Sequence, residues 1–522
     1  MHLSRRLQQC AAQIGAACEC GRAAGSAAAT VHPATILLPG EQPFARVKAN
    51  KYSIKQGLRS RTLRTAYRLA SIRGLPAEVI RWTAVNPFGS DTVAAREHHA
   101  PRAVKPALSR TRCNRGGSGL RAQRVPSATG RASLRHTGAA GITVVPVERF
   151  EIDVDEAVLA DLRDRIRSSR LPGPAPGEPW SQGTDDAYLR DFLGVWADGY
   201  DWRTSEGELN RFAQFRTRLD GVQIHFVHAR AASGGGVPLI LTNGWPSTFA
   251  ELLPLVPLLT DPAAHSIEGP AFDLVIPSLP GYGFSERPAR TGVTYRDTAR
   301  RWHCLMRELG YDRYAAGGSD FGAGVATYMA LEDPSPLIGL HLSTPEVAPY
   351  TGPGSRPLSE AEHLYRESLA AWIATEHGYQ AIQSTKPQTL GYGLTDSPAG
   401  LAAWILEKWR SWSDDFGSID RDLLLTTVTL YWVTGTITSS MRDYYDNRWF
   451  GTPLNHDDFV AVPTGFAKFS HQLADEGDIP RGWLERLYDI QRWTPMPRGG
   501  HFAAAEAPEL LAADIAGFFG AL

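Results

Sequence analysis

Tyr314-Ala-Ala-Gly317-Gly318-Ser319-Asp320-Phe321-Gly322-Ala323-Gly324 passes from an apolar run through glycines and a polar pair into a helix-forming segment. Small residues on both sides of one side chain permit the strained strand-to-helix turn on which a nucleophile is presented. Two frames fit the string. With Ser319 at the apex, Phe321 falls where the turn needs something small. With Asp320 there, Gly318 and Gly322 occupy the two positions that need them, and the register selects Asp320. Carboxylate attack on an sp3 carbon yields an alkyl ester, which suits epoxides and alkyl halides rather than esters or peptides. The helix N-terminus behind the turn favours the ionised form. The bland alternative is an aspartate that merely caps a helix in a glycine-rich loop.

Working outward, apolar runs at Val237–Thr242, Phe272–Pro277, Tyr314–Gly318 and Leu337–Ser343 alternate with helical stretches such as Tyr295–Leu309. That rhythm predicts an open parallel sheet with helices on both faces, and together with the strained strand-to-helix turn it points to an α/β-hydrolase fold. The stretch from Pro349 to Phe450 breaks the alternation and reads as purely helical, as in Leu401–Trp412 and Asp422–Val433. A helical insertion at that point predicts a lid over the carboxyl ends of the strands, where such sheets bind ligands. Strand and helix return at Phe459–Pro463, Asp489–Thr494 and Pro508–Leu522.

Thr242-Asn243-Gly244-Trp245-Pro246 follows the first of those strands. In this fold the loop there supplies one backbone N–H of the oxyanion hole and the residue after the nucleophile supplies the other, which assigns the donors to Trp245 and Phe321. Losing one such donor typically costs about 10²–10³ in rate. Near the end, Met496-Pro-Arg498-Gly499-Gly500-His501-Phe502 places a histidine in a glycine-rich loop after the last strand. Neutral imidazole can take a proton from water at neutral pH. Chain order singles out His501 among 15 histidines.

Before the sheet, Val158, Leu159, Leu162 and Ile166 recur at helical spacing until Leu171-Pro172-Gly173-Pro174. Asp185 or Asp186 caps a second helix with Tyr188, Leu189, Phe192, Leu193 and Trp196 on one face. Strand-like Val222–His228 follows. The expected organisation is a basic low-complexity leader over 1–143 and a mainly helical accessory domain over 144–235. Core segments over 236–348 and 456–522 then flank a helical lid over 349–455.

The net charge of −1 conceals an asymmetry: residues 1–140 hold 23 Lys and Arg against 5 Asp and Glu, and the remainder 31 against 50. A basic arm for nucleic acid or anionic membrane, a transit peptide and a disordered or non-native extension compete for the leader. The extension is the expected reading, so nucleic acid is not expected as a partner. Four of the five cysteines, Cys10, Cys18, Cys20 and Cys113, lie in the leader, which offers neither a disulfide framework nor a zinc site. No apolar run approaches the roughly 18 residues needed to span a bilayer. A reducing, cytoplasmic setting is expected, with no metal and no cofactor.

Taken in order, these sites resemble those of the microsomal-type epoxide hydrolases over 144–522. The likeness extends to Trp180-Ser-Gln-Gly183, Tyr200-Asp201-Trp202-Arg203, Leu209-Asn210-Arg211-Phe212 and Asp220-Gly221-Val222-Gln223-Ile224-His225-Phe226. It continues through Pro280-Gly281-Tyr282-Gly283-Phe284-Ser285, Ser384-Thr385-Lys386-Pro387, Pro463-Thr464-Gly465-Phe466 and Arg498-Gly499-Gly500-His501-Phe502. The resemblance implies that Tyr379 and Tyr444 hydrogen-bond the epoxide oxygen, with Tyr445 an adjacent competitor. A phenol stays protonated at neutral pH and can donate to a developing alkoxide.

Three departures stand out. Asn243 replaces the family's usual His, Phe321 its usual Trp, and Gln472 the Glu expected nine residues after Pro463. Gln472 cannot stabilise an imidazolium by charge, and Glu476 is the expected third member, with Asp475 and Asp478 as neighbours. The expected cycle opens a small hydrophobic epoxide on Asp320 and releases a vicinal diol by water that His501 activates. Alternatives are a haloalkane-dehalogenase-like hydrolase and a catalytically impaired binder of a hydrophobic ligand. Tryptophans Trp372, Trp404, Trp409, Trp412, Trp432 and Trp449 suggest an apolar pocket, or lid core. Detoxification, biosynthesis and homo-oligomerisation all stay open.

Overall fold

The computed structural model describes residues 34–35, 46–47, 147–473 and 477–522. The chain divides into two units, Met1–Arg110 and Thr111–Leu522. In the first, Ala34–Thr35 pairs antiparallel with Arg46–Val47. What the sequence suggests for the rest of the leader lies outside the described residues.

The second unit begins with strand β1 (Glu148–Phe150) and helices α1 (Glu156–Arg167), α2 (Asp186–Gly194) and α3 (Trp202–Asn210). Asp155, Asp185 and Asp201 cap these helices by accepting from backbone N–H groups of the first turn. Leu159, Leu162 and Ile166 of α1 are buried, while Val158 is exposed. Strands β2 (Gln214–Leu219), β3 (Val222–Ala229), β4 (Val237–Thr242) and β5 (Phe272–Pro277) follow, with α4 (Leu255–Thr260) between the last two. Next come α5 (Tyr295–Glu308), β6 (Tyr314–Gly318), α6 (Phe321–Glu332) and β7 (Leu337–Leu342). A capping box of Thr294 and Asp297 opens α5.

Six helices form the insertion: α7 (Glu360–Glu376), α8 (Gly378–Gln383), α9 (Pro387–Asp396), α10 (Pro398–Trp412), α11 (Arg421–Thr434) and α12 (Ile437–Phe450). Strand β8 (Val460–Lys468), α13 (Arg481–Leu484), β9 (Tyr488–Pro495), α14 (Ala503–Glu506) and α15 (Pro508–Phe519) complete the chain.

The sheet has nine strands in the order β9-β8-β7-β6-β4-β5-β3-β2-β1. Six neighbours from β9 to β5 run parallel, and β3, β2 and β1 join antiparallel. The sheet is therefore mixed, where the apolar runs alone suggested a parallel one. Side chains alternate across it: Ile240 of β4 joins one apolar cluster with Trp302 and Trp409, while Leu239 and Leu241 join another with Leu511 and Ile515. Glu362, buried at the start of α7, ties the lid to the segment before β9. Its carboxylate accepts from Arg486 Nε at 2.6 Å and Arg356 Nη2 at 3.0 Å.

Candidate active site

Thr242 and Gly318, the last residues of β4 and β6, stand opposite each other in parallel register. The chain must turn sharply out of β6 into α6, and Asp320 takes φ 52° and ψ −126° to do so. Such a conformation in a non-glycine residue is strained and needs surrounding structure to hold it. Gly322 permits the close approach: an added Cβ would lie 1.9 Å from the carbonyl oxygen of Thr242. Asp320, and not Ser319, carries the positive φ, as the glycine spacing requires.

The Asp320 carboxylate is buried and its two oxygens differ. Oδ1 accepts from the backbone N–H of Phe321 at 2.7 Å and of Trp245 at 3.0 Å. Oδ2 lies 3.7 Å from Nε2 of His501. Gly244 leaves room for this arrangement, since a Cβ there would come within 2.2 Å of Oδ1. Asn243 is buried and donates from Nδ2 to the carbonyl of Gly244 at 2.9 Å, so the substituted side chain is absorbed by its own loop. Burial pushes the Asp320 carboxyl up to about 6, against the two N–H groups that favour the anion.

His501 is 3% exposed. Nδ1 lies 3.0 Å from the backbone carbonyl of Gln472, which fixes the tautomer with the proton on Nδ1 and the lone pair of Nε2 toward Asp320. Burial pushes the imidazole down to about 4, offset in part by the Gln472 carbonyl. The side chain of Gln472 turns away and donates from Nε2 to the carbonyl of Ser343. Glu476, the carboxylate expected beside His501, and its neighbour Asp475 lie outside the described residues. Asp478 contacts Lys468 instead.

Lid aromatics close the site. Tyr379 stacks on Trp245 at 5.6 Å with an interplanar angle of 5°, and Tyr444 meets the same indole edge-on at 5.7 Å. The Tyr444 ring is 4.7 Å from Phe321 and 5.9 Å from Tyr379. Burial raises Tyr444 well above the usual phenol range, with Tyr379 and Asp320 adding to the shift, so it keeps its proton. Tyr445 packs on Trp449 and Phe450. Among the lid tryptophans Trp412 lies 4.8 Å from His501, Trp409 stacks on Phe502 at 3.8 Å, and Trp449 is exposed. The structure thus brings together Asp320, His501, Trp245, Phe321, Tyr379 and Tyr444.

Sequence reasoning missed three neighbours: the Gln472 carbonyl, Glu506 and Glu251. Glu251, fully buried, is pushed up to about 8 by burial, with Asp320 and Glu506 adding to the shift. Glu506 accepts from the N–H of Phe502 at 3.1 Å, and its four-residue spacing behind a helix start was the available signal. Among the described residues no group of His, Cys, Asp and Glu could hold a metal ion, and no helix is long and apolar enough to cross a membrane.

An aspartate at the turn between strand and helix, with a histidine facing one carboxylate oxygen and two N–H donors on the other, stands at the carboxyl ends of the parallel strands of an α/β-hydrolase fold. Family models agree on both parts: the epoxide hydrolase N terminus matches residues 147–252 and the alpha/beta hydrolase fold matches 237–374. Pig epoxide hydrolase 1 is 36% identical over 409 residues, covering 72% of this chain and 89% of its own. The crystal structure of the juvenile hormone epoxide hydrolase from the silkworm Bombyx mori superposes with a TM-score of 0.65 at 31% identity, covering 72% and 94% of the two chains. The Aspergillus niger epoxide hydrolase structure gives 0.62 at 29%, covering 72% and 96%. The chain belongs to the epoxide hydrolase family, whose members open epoxides through a covalent aspartyl ester.

Proposed function

We propose that Asp320 Oδ2 attacks the less hindered or better activated carbon of an apolar epoxide. The C–O bond of the ring breaks, and the departing oxygen takes its proton from Tyr379 or Tyr444. His501 Nε2 then takes a proton from water as that water adds to the ester carbonyl. The resulting oxyanion rests on the N–H groups of Trp245 and Phe321. Collapse breaks the bond between Asp320 and the alkyl oxygen, which leaves with the proton held by His501. The product is a vicinal diol, and the second proton of the water, left on the Asp320 carboxyl, returns to the tyrosinate and restores both groups.

The observation that carries this reading is the division of labour within one carboxylate. Oδ1 holds both N–H groups, and Oδ2 is left facing His501. Trp245, Trp412, Phe321 and the two tyrosines supply an aromatic surround, which favours an apolar, aryl-bearing substrate over a polar one. A detoxifying role in a reducing cytoplasm fits that breadth. Cys304, the cysteine among the described residues, is in no disulfide.

Oxygen labelling tests the route. A single turnover in H2(18)O is expected to give unlabelled diol, with the label in the Asp320 carboxylate. Label in the diol from the first turnover would mean direct attack of water on the epoxide.

A further inference from the structure

The histidine that completes the proposed cycle has a neutral partner on Nδ1, the Gln472 carbonyl. An imidazolium formed during ester hydrolysis therefore gains no ionic partner at that atom. Among the described residues, Glu506 at the end of α14 is a carboxylate bonded directly to the His501 loop. It is 9% exposed, and its carboxylate spans two parts of the molecule. Oε1 accepts from the N–H of Phe502 at 3.1 Å, adjacent to His501. Oε2 accepts from the N–H of Asp414 at 2.7 Å, just past the end of lid helix α10.

Three other contacts close the joint. The N–H of His501 donates to the carbonyl of Trp412 at 3.0 Å, the N–H of Gly499 donates to Asp414 Oδ2 at 3.0 Å, and Gly500 bridges to His471. Gly500 has no room for a side chain, since a Cβ would lie 2.6 Å from the Trp412 carbonyl. The His501 loop and the end of α10 are thus one fastened piece with a carboxylate at its centre.

We infer that Glu506 is a positioning residue for His501: it locks the histidine's loop to the lid and supplies the negative charge that favours the imidazolium during ester hydrolysis. This rests on the reading of Asp320 and His501 given above. Burial raises the Glu506 carboxyl, and the N–H groups of Asp414, Phe502 and Gly500 oppose that by favouring the anion. The other charged or titratable groups facing the joint are Asp320, Glu251, Asp414, His471 and Arg498, the last donating to the Glu506 backbone carbonyl at 2.7 Å. A glutamate four residues behind a helix start can also be a simple cap. The two roles differ in what they do to a titration.

The test follows one turnover of styrene oxide on the full-length chain, timing ester formation and ester hydrolysis separately across pH. With Glu506→Gln, formation is expected to stay at the wild-type rate while hydrolysis slows about ten-fold. Loss of a nearby anion disfavours the imidazolium, so the hydrolysis midpoint moves about one unit lower in pH. Glu506→Asp keeps the charge but is too short for both N–H groups. Its hydrolysis is expected to slow several-fold with the midpoint unmoved, and it serves alone if the glutamine variant does not fold. Wild-type hydrolysis in either variant, or equal slowing of both steps with an unmoved midpoint in Glu506→Gln, would overturn the inference. Absence of any ester in the wild-type chain would instead overturn the reading of the site beneath it.

Discussion

Asp320 and His501 set opposite demands on pH, and burial decides where each is met. The nucleophile must be ionised, and its carboxyl is pushed up to about 6. Ester formation is therefore expected to fall as pH drops through about 6, with a plateau above it. The base must be neutral, and His501 is held neutral down to about 4, so it imposes no loss above that pH. The pH dependence of kcat/KM reads the first of these, and a flat profile between about pH 5 and pH 8 would contradict it. For the tyrosines, Tyr379→Phe and Tyr444→Phe are each expected to slow ester formation about 10²-fold, as loss of a general acid does. The double substitution should leave little, and rapid-quench formation rates measure all three. The Asp320 register was readable in the sequence because the crowding at Gly318 and Gly322 is local to the turn. The Gln472 carbonyl and Glu506 were not, because a backbone carbonyl has no signature and Glu506 meets Asp414 only through the fold.

Strand β2 shows why edge elements escape a reading by hydropathy. Gln214-Phe-Arg-Thr-Arg-Leu219 lacks an apolar run, yet Arg216 lays its guanidinium 3.7 Å from the Phe150 ring centroid of β1 and so packs like an apolar residue. Strand β8 was read only to Pro463, a residue that normally ends a ladder. A register shift between Val460 and Pro463 absorbs the proline, and the strand runs on to Lys468. The central strands were legible because both faces of each are buried, leaving nearly unbroken apolar runs. At the base of the lid, Glu362 is held down to about 2 chiefly by Arg486. A depressed carboxylate stabilises the fold above its unfolded value and loses that contribution as pH falls through its folded one. This support is thus complete above about pH 4.5 and gone below about pH 2. Glu362→Ala strands Arg486, itself 3% exposed, and is expected to cost about 3–5 kcal/mol in urea unfolding at neutral pH. A loss under about 1 kcal/mol, the worth of an exposed pair, would contradict it.

Across the whole molecule, the charge asymmetry marks the boundary that matters. Every residue assigned to the proposed cycle lies in 147–522, within the acidic part of the chain. Removing residues 1–140 is therefore expected to leave ester formation and hydrolysis unchanged in single-turnover assays. Loss of either would give the basic leader a part in the chemistry. The central claim, a carboxylate nucleophile in Asp320 with His501 releasing its ester, is tested most directly by intact mass. His501→Gln is mixed with a panel of epoxides and alkyl halides and weighed. A gain equal to the whole epoxide, lost when Asp320→Asn is added, is the predicted result. A gain equal to an alkyl group without its halide, and none from any epoxide, would contradict it.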